Sequence, residues 1–276
     1  MIRVDRLSAS VRKTPILRDL SFSVKPGEFV ALVGPNGAGK TTLLKHLNGL
    51  MKPTAGTVSV CGLDTKRART SELARRVGFL FQNPDQQILC ATVREEIAFG
   101  LRHCGIPRAE WDGRIAEAAA RADLSAKLDA DPLMLTRSRR QRVALASVLA
   151  TDPEVLVLDE PTSAQDEAET TRVMELARGL ARRGKAVVLV SHDMDLVARY
   201  ADRALVLVSG KLEADCAPAE LFSDAGLLAR AMLSAPPIVR LARALGLDLP
   251  ASGGERALLV RSLADQVAAL ARREAV

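Results

Sequence analysis

The segment Gly34–Thr41, GPNGAGKT, satisfies the pattern GxxxxGK[ST], with an apolar run before it and a helix-prone run after it. Glycines at these places let backbone N–H groups close around phosphate oxygens, and a helix that starts there adds its positive end. Lys40 is then spaced to reach the β- and γ-phosphates, and the Thr41 hydroxyl to coordinate Mg²⁺. Gly34, Pro35, Asn36, Gly37, Ala38, Gly39, Lys40, Thr41 and Thr42 are the expected cradle for a nucleoside triphosphate. A second group of residues fits the same chemistry. In VLVLDE, Val155–Glu160, two carboxylates follow an apolar strand candidate, at the sheet edge where ligands sit in open α/β folds. Asp159 is placed to hold Mg²⁺ through water, and Glu160 to orient and deprotonate an attacking water.

These residues need a scaffold, and the chain supplies a recognisable one. Its 276 residues are 48% hydrophobic and 26% charged, enough for a large folded domain with an appendage. Aromatic residues make up only 3%, so Leu, Val and Ala must build the core. Strands are expected at Ile2–Val4, Leu20–Val24, Glu28–Val33, Thr57–Val60 and Val77–Phe81. From about Asn83 to Leu135 the pattern turns helical, in TVREEIAFGL and then AEWDGRIAEAAARADL. Strand–helix alternation resumes with Val155–Leu158, a helix over Glu167–Arg182, and strands at Ala186–Val190 and Arg203–Val208. Apolar strands alternating with helices indicate a parallel sheet covered on both faces. From about Pro218 the chain reads as helical, broken at Pro236-Pro237 and at Ser252–Gly254.

Net charge is +6, and the Lys and Arg residues are dispersed, which argues for a solvated surface and against a nucleic-acid partner. No apolar run approaches the ~20 residues needed to cross a bilayer, and no cationic leader is read at the N-terminus. Cys61, Cys90, Cys104 and Cys216 form no CxxC pair, so a reducing cytoplasm is expected.

Five motifs stand in one order: GPNGAGKT, FQNPDQQ (Phe81–Gln87), RRQRVALA (Arg139–Ala146), VLVLDEPTSAQD (Val155–Asp166) and VSHD (Val190–Asp193). Together they resemble the ATP-binding cassette (ABC) ATPases of transporters. The resemblance implies an α/β P-loop NTPase cassette over residues 1–217. Its parts would be a mainly parallel sheet, an N-terminal antiparallel β subdomain and a helical insertion at about 83–140, with a C-terminal helical extension over 218–276. It implies ATP and Mg²⁺ as ligands. Gln82 would sense Mg²⁺ and the attacking water, His192 would contact the γ-phosphate, and Asp166 would lie on a loop touching a partner ATPase. The family stacks adenine on an aromatic residue in the early strands. Val11 falls near that position, which predicts weak discrimination of adenine from guanine.

One motif departs from the family. The signature LSGGQ, which the family lays over ATP held by the partner subunit, falls on Leu135, Thr136, Arg137, Ser138 and Arg139. Thr136 keeps a hydroxyl, but Arg137 and Ser138 replace both glycines. Either the loop is degenerate, or Arg137 or Arg139 supplies a cation in trans. The first reading predicts a heterodimer with a second ATPase whose signature is sound. QNPDQQI, TVREEIAFGL and APPIVRLARALGL (Ala235–Leu247) resemble the energy-coupling-factor branch, which includes cobalt-uptake ATPases. That branch implies a transmembrane transporter subunit, a substrate-binding membrane protein and a peripheral place on the cytoplasmic face of the cell membrane. The alternatives are a nucleotide-binding regulatory subunit with little turnover, or a soluble ABC ATPase outside transport.

Overall fold

A computed structural model describes residues 1–163 and 165–244. The chain begins with a long hairpin, β1 (Ile2–Val11) and β2 (Thr14–Val24). Arg12 and Lys13 both adopt positive φ, the two-residue turn that matches strand twist. After β3 (Phe29–Val33) come the glycine loop and α1 (Lys40–Leu47), then β4 (Ala55–Val60), β5 (Leu63–Asp64), α2 (Thr70–Ala74) and β6 (Val77–Leu80). The helical part holds α3 (Val93–Cys104), α4 (Trp111–Arg121) and α5 (Arg137–Ala150), joined by short 3₁₀ turns. Next are β7 (Val155–Asp159), α6 (Glu167–Arg182), β8 (Ala186–Val190), α7 (Met194–Tyr200), β9 (Arg203–Val208) and β10 (Lys211–Cys216). Three helices, α8 (Pro218–Ser223), α9 (Ala225–Arg230) and α10 (Pro237–Ala244), close the described chain.

Two sheets result. One is antiparallel, in the order β2-β1-β4-β5; the other runs β10-β9-β3-β8-β7-β6 and is parallel except for the β9–β10 pair. The continuous apolar runs of β3, β7 and β8 follow from two cores. Phe29, Ala31, Val33, Leu156, Leu158, Val187 and Leu189 face α5, α6 and α7. Val30, Leu32, Val155, Val157, Val188 and Val190 face α1 and the antiparallel sheet. With period-two side chains and both faces covered, the positions within these strands are apolar, and the one polar residue, Asp159, stands at the end of β7.

The helical insertion has its own core of Val93, Ile97, Leu101, Ile115, Ala119 and Leu124. Helix α3 is capped at both ends, by the Thr92 hydroxyl accepting from Glu95 N–H and by Gly105 in the left-handed region. Helix α5 is shared: Val143, Ala146 and Ala150 enter the insertion core, while Ala144, Leu145, Val148 and Leu149 enter the central one. A helix buried on both sides carries little amphipathicity, so α5 extends to Ala150, past the expected limit near 140.

The structure adds elements that the sequence did not suggest. Strand β10 (KLEADC) is an edge strand with alternate residues exposed, and α7 and α2 are too short for a helical period to stand out. Strand β6 ends at Leu80. Beyond residue 217, Leu221, Phe222, Leu227, Leu228 and Val239 pack into the same core as the central sheet. Pro237 opens α10 as its first residue, where a missing N–H is harmless. The expected break at Ser252–Gly254 and the rest of the extension from 245 lie outside the described residues.

Candidate functional site

The candidate residues gather at one edge of the sheet because adjacent parallel strands end there. β3 leads into the glycine loop, β8 into Ser191-His192, β7 into Asp159-Glu160, and β6 into Phe81-Gln82. Leu80 pairs with Leu158 and Asp159 with Val190, so Gln82 and Glu160 leave the sheet at the same level.

Gly34, Gly37 and Gly39 have φ values of 141°, 78° and 103°. Gly34 is also fixed by space: a Cβ there would stand 2.0 Å from the Leu207 carbonyl oxygen, so alanine would split the loop from β9. Gly39 is the N-cap of α1, which has no side-chain cap and no acidic residue in its first turn. The positive helix end is therefore left for a ligand. The Lys40 ammonium is folded back across the loop, donating to the carbonyls of Gly34 (2.8 Å) and Pro35 (3.0 Å). Burial lowers its pKa, partly opposed by Glu160 and Asp159. A buried cation beside the glycine loop and the start of α1 suits phosphate oxygens. Pro35, Asn36, Gly37 and Ala38 line a cleft of about 490 Å³ whose rim is completed by His192, Ser209 and Met232.

The Thr41 hydroxyl donates to Asp159 Oδ2 at 3.1 Å. Burial raises the Asp159 pKa, which the Thr41 bond lowers and Glu160 raises again. A hydroxyl and a desolvated carboxylate facing each other at the loop mouth suit Mg²⁺, which takes few protein oxygens and keeps water and phosphate as its other ligands. Thr42 follows Thr41 in α1, and its carbonyl accepts from the buried His46 ring at 2.8 Å.

Glu160 has a left-handed backbone, φ 47°, and its N–H is held by the Val190 carbonyl at 3.0 Å. Its carboxylate lies among Gln82, Ser163 and His192, near Lys40. Oε2 accepts from Gln82 Nε2 at 2.7 Å and from Ser163 Oγ at 3.2 Å, and His192 Nε2 stands 3.0 Å from Oε1. A carboxylate has about four lone-pair positions, so the two bonds to Oε2 leave Oε1 able to accept a proton donor. The sequence placed Gln82 as a metal sensor as well. Here its amide bonds Glu160, and among the described residues no hydrogen bond joins it to Thr41 or Asp159.

Several supporting residues were not singled out. Ser163 orients Glu160. Gln87 accepts from Phe81 N–H (3.2 Å) and Gln141 donates to the Phe81 carbonyl (3.3 Å), fixing the strand end before Gln82. Arg140 pairs with Asp85 at 2.7 Å. All four stand within the motifs; only the fold shows what they touch. Asp166 caps α6, accepting from Glu169 N–H at 2.8 Å. Val11 pairs with Thr14 at the end of the first hairpin and is 42% exposed. Ile16 and Leu17 of that hairpin lie against Gly39.

Thr136 caps α5 and accepts from Arg139 N–H at 3.4 Å, so Arg137 and Ser138 are the first residues of the helix. Arg137 and Arg139 are exposed, and no acidic residue stands in that first turn.

A family model described as ABC transporter matches residues 17–163. The chain is 41% identical to an energy-coupling factor transporter ATP-binding protein EcfA of Methanothermobacter thermautotrophicus, over 81% of this chain and 72% of that one. The chain belongs to the ABC transporter family. Two solved structures share the cassette fold. CbiO1 of Clostridium perfringens, part of the ABC transporter complex cbiONQ, matches with TM-score 0.75 and 29% identity over 88% of this chain and 98% of that one. A dimeric ATP-binding cassette in a post-hydrolysis state, bound to ADP and Pi, matches with TM-score 0.70 and 28% identity over 79% and 99%. The chain spans 43% and 41% of two longer ABC relatives, from Methanosarcina mazei and Caldanaerobacter subterraneus. The expected α/β cassette, with a mainly parallel sheet and an antiparallel one, is the fold found.

Asp159→Asn tests the electrostatics of this cassette. The variant keeps an acceptor for Thr41 but loses a carboxylate that burial disfavours. Its nucleotide-free melting temperature is expected to rise by about 2–4 °C, while added Mg²⁺ and ATP stabilise it less than wild type. The sign with pH follows from the raised pKa. Wild type gains stability as pH falls through the folded Asp159 value toward the ordinary 3.8, and the variant lacks that gain. Melting curves across that range check both.

Proposed function

We propose that this chain is the ATP-hydrolysing subunit of a membrane transporter of the energy-coupling-factor type. The observation that carries the reading is Glu160, near Lys40 and next to Asp159, held by Gln82 and Ser163 and 3.0 Å from His192. In this mechanism the loop amides and Lys40 bind the ATP phosphates, with Lys40 exchanging its two carbonyls for β- and γ-phosphate oxygens. Thr41 and Asp159 would hold Mg²⁺, which would supply charge neutralisation at the phosphates. Glu160 orients water in line with the γ-phosphorus and accepts its proton. His192, 3.0 Å from Glu160 and on the cleft rim, would contact the γ-phosphate in this mechanism. ADP and phosphate leave.

In this reading the chain pairs with a second ATPase subunit, in line with the dimeric cassette among its structural relatives. A heterodimer is favoured because Arg137 and Ser138 occupy the glycine places of the loop that would cover the partner's ATP. The pair would sit at the cytoplasmic face of the membrane under a transmembrane subunit and a substrate-binding membrane protein, the cargo being a metal ion such as cobalt, or a vitamin. Among the described residues no helix is long and apolar enough to cross a bilayer, so membrane association would be peripheral. Val11 gives adenine apolar contact without an aromatic face, and GTP is expected to compete with ATP within about tenfold. Affinity purification of the tagged chain from native membranes tests the assembly. Recovery with a polytopic membrane protein and a second cassette supports it, and recovery with ribosomes or DNA overturns it.

A further inference from the structure

Arg142 lies on the side of α5 away from the cleft, and its side chain is 8% exposed. Its guanidinium meets two other elements, the end of α4 and the start of α6. Nη1 donates to Asp123 Oδ2 at 2.8 Å and to the carbonyls of Ala122 and Asp123, both at 3.4 Å, which hold the end of α4. Nε stands 3.3 Å from Glu169 Oε2 in the first turn of α6. Arg172, one turn further along α6, reaches both Asp123 Oδ2 and Glu169 Oε1 at 3.4 Å.

The two halves of this cluster differ in quality. The bonds to the insertion are formed. The contact to α6 is close but not a directional hydrogen bond, since Arg142 Nε and Glu169 Oε2 are both buried without one. A buried donor and acceptor left this way are disfavoured. The Arg142–Glu169 contact is thus the weaker half of the cluster, and it joins the insertion to α6. Glu169 is also the residue whose N–H the Asp166 side chain caps, and five residues separate Asp166 from Glu160 along the loop.

We propose that Arg142 is a positioning residue that couples the orientation of the helical insertion to the Asp166 loop, and through it to Glu160. The coupling to turnover rests on the ATPase reading above; the coupling between insertion and loop does not. Arg142 touches no reacting atom, and its effect passes through Glu169. A residue that only held the fold together would lower stability and nucleotide affinity together. A positioning residue lowers kcat and leaves binding in place.

The test uses Arg142→Met, Arg142→Lys and Asp123→Asn; Asp123 is exposed, so its variant folds even if Arg142→Met does not. With the full assembly, Arg142→Met and Asp123→Asn are expected to lower kcat by about tenfold with KM for ATP unchanged, and Arg142→Lys to recover part of the loss. Their double variant should be no worse than the more affected single one. In the full chain alone, amide exchange at Glu169 and Thr170 should quicken by about tenfold, with little change in the β3 and β7 amides. Unchanged exchange at Glu169 and Thr170 in folded variants overturns the proposal, as does an equal loss of kcat and nucleotide affinity. A wild-type assembly without ATP turnover would refute the ATPase reading, while the exchange result would still decide whether Arg142 links the insertion to the loop.

Discussion

Glu160→Gln is expected to lower ATP turnover by about 10²–10⁴-fold, the range that a positioned general base contributes. Glutamine keeps the size of the side chain and an oxygen acceptor, but the amide nitrogen donates where a carboxylate oxygen accepted. Gln82 and Ser163 both donate to Oε2, which the glutamine oxygen can replace, and the amide nitrogen then faces His192 Nε2 where Oε1 stood. The water loses its proton acceptor. Nucleotide binding depends on the loop amides and Lys40, which the substitution leaves alone. Phosphate release should therefore collapse while the affinity measured with a fluorescent nucleotide stays within about twofold. If turnover survives in Glu160→Gln, proton transfer to Glu160 is not part of the mechanism.

The second large effect concerns the chain without its partner. Arg137→Gly with Ser138→Gly restores the glycine pair at the start of α5. Purified alone, the double variant is expected to turn over ATP about 10–100-fold faster than wild type, because backbone can then approach a phosphate that the Arg137 side chain holds off. Thr136 remains as the helix cap, so the fold should tolerate the change with a loss of about 1–2 kcal/mol for two glycines near a helix start. The opposite result is as informative. If the substitution slows the paired enzyme more than about tenfold, Arg137 acts as a cation in trans, and the loop is specialised rather than degenerate.

Much of this was legible because phosphate chemistry constrains residue types tightly. The glycine loop needs glycine, lysine and a hydroxyl at fixed places, and the positions within strands buried between two cores are apolar. Glu167–Arg182, Ala186–Val190 and Arg203–Val208 have the expected limits for that reason. What escaped depends on tertiary contact. β10 is legible only once β9 is there to pair with it, and α5 hides its limit by being apolar on two sides. Ser163 and Arg142 sit in recognised motifs, yet their partners are dozens of residues away in sequence or set by a backbone twist that no pattern encodes.

That twist at Glu160 has a consequence for how the molecule evolves. A left-handed backbone is easy for glycine and disfavoured for glutamate by about 1 kcal/mol or more. The position that carries the chemistry is thus one where the fold alone would prefer a different residue. Selection for thermostability without a demand for turnover should drift toward Glu160→Gly or Glu160→Asn, yielding hardier molecules that bind nucleotide and do no work. A glutamate held at this backbone cost is accounted for by the hydrolysis proposed above, which binding alone would not require.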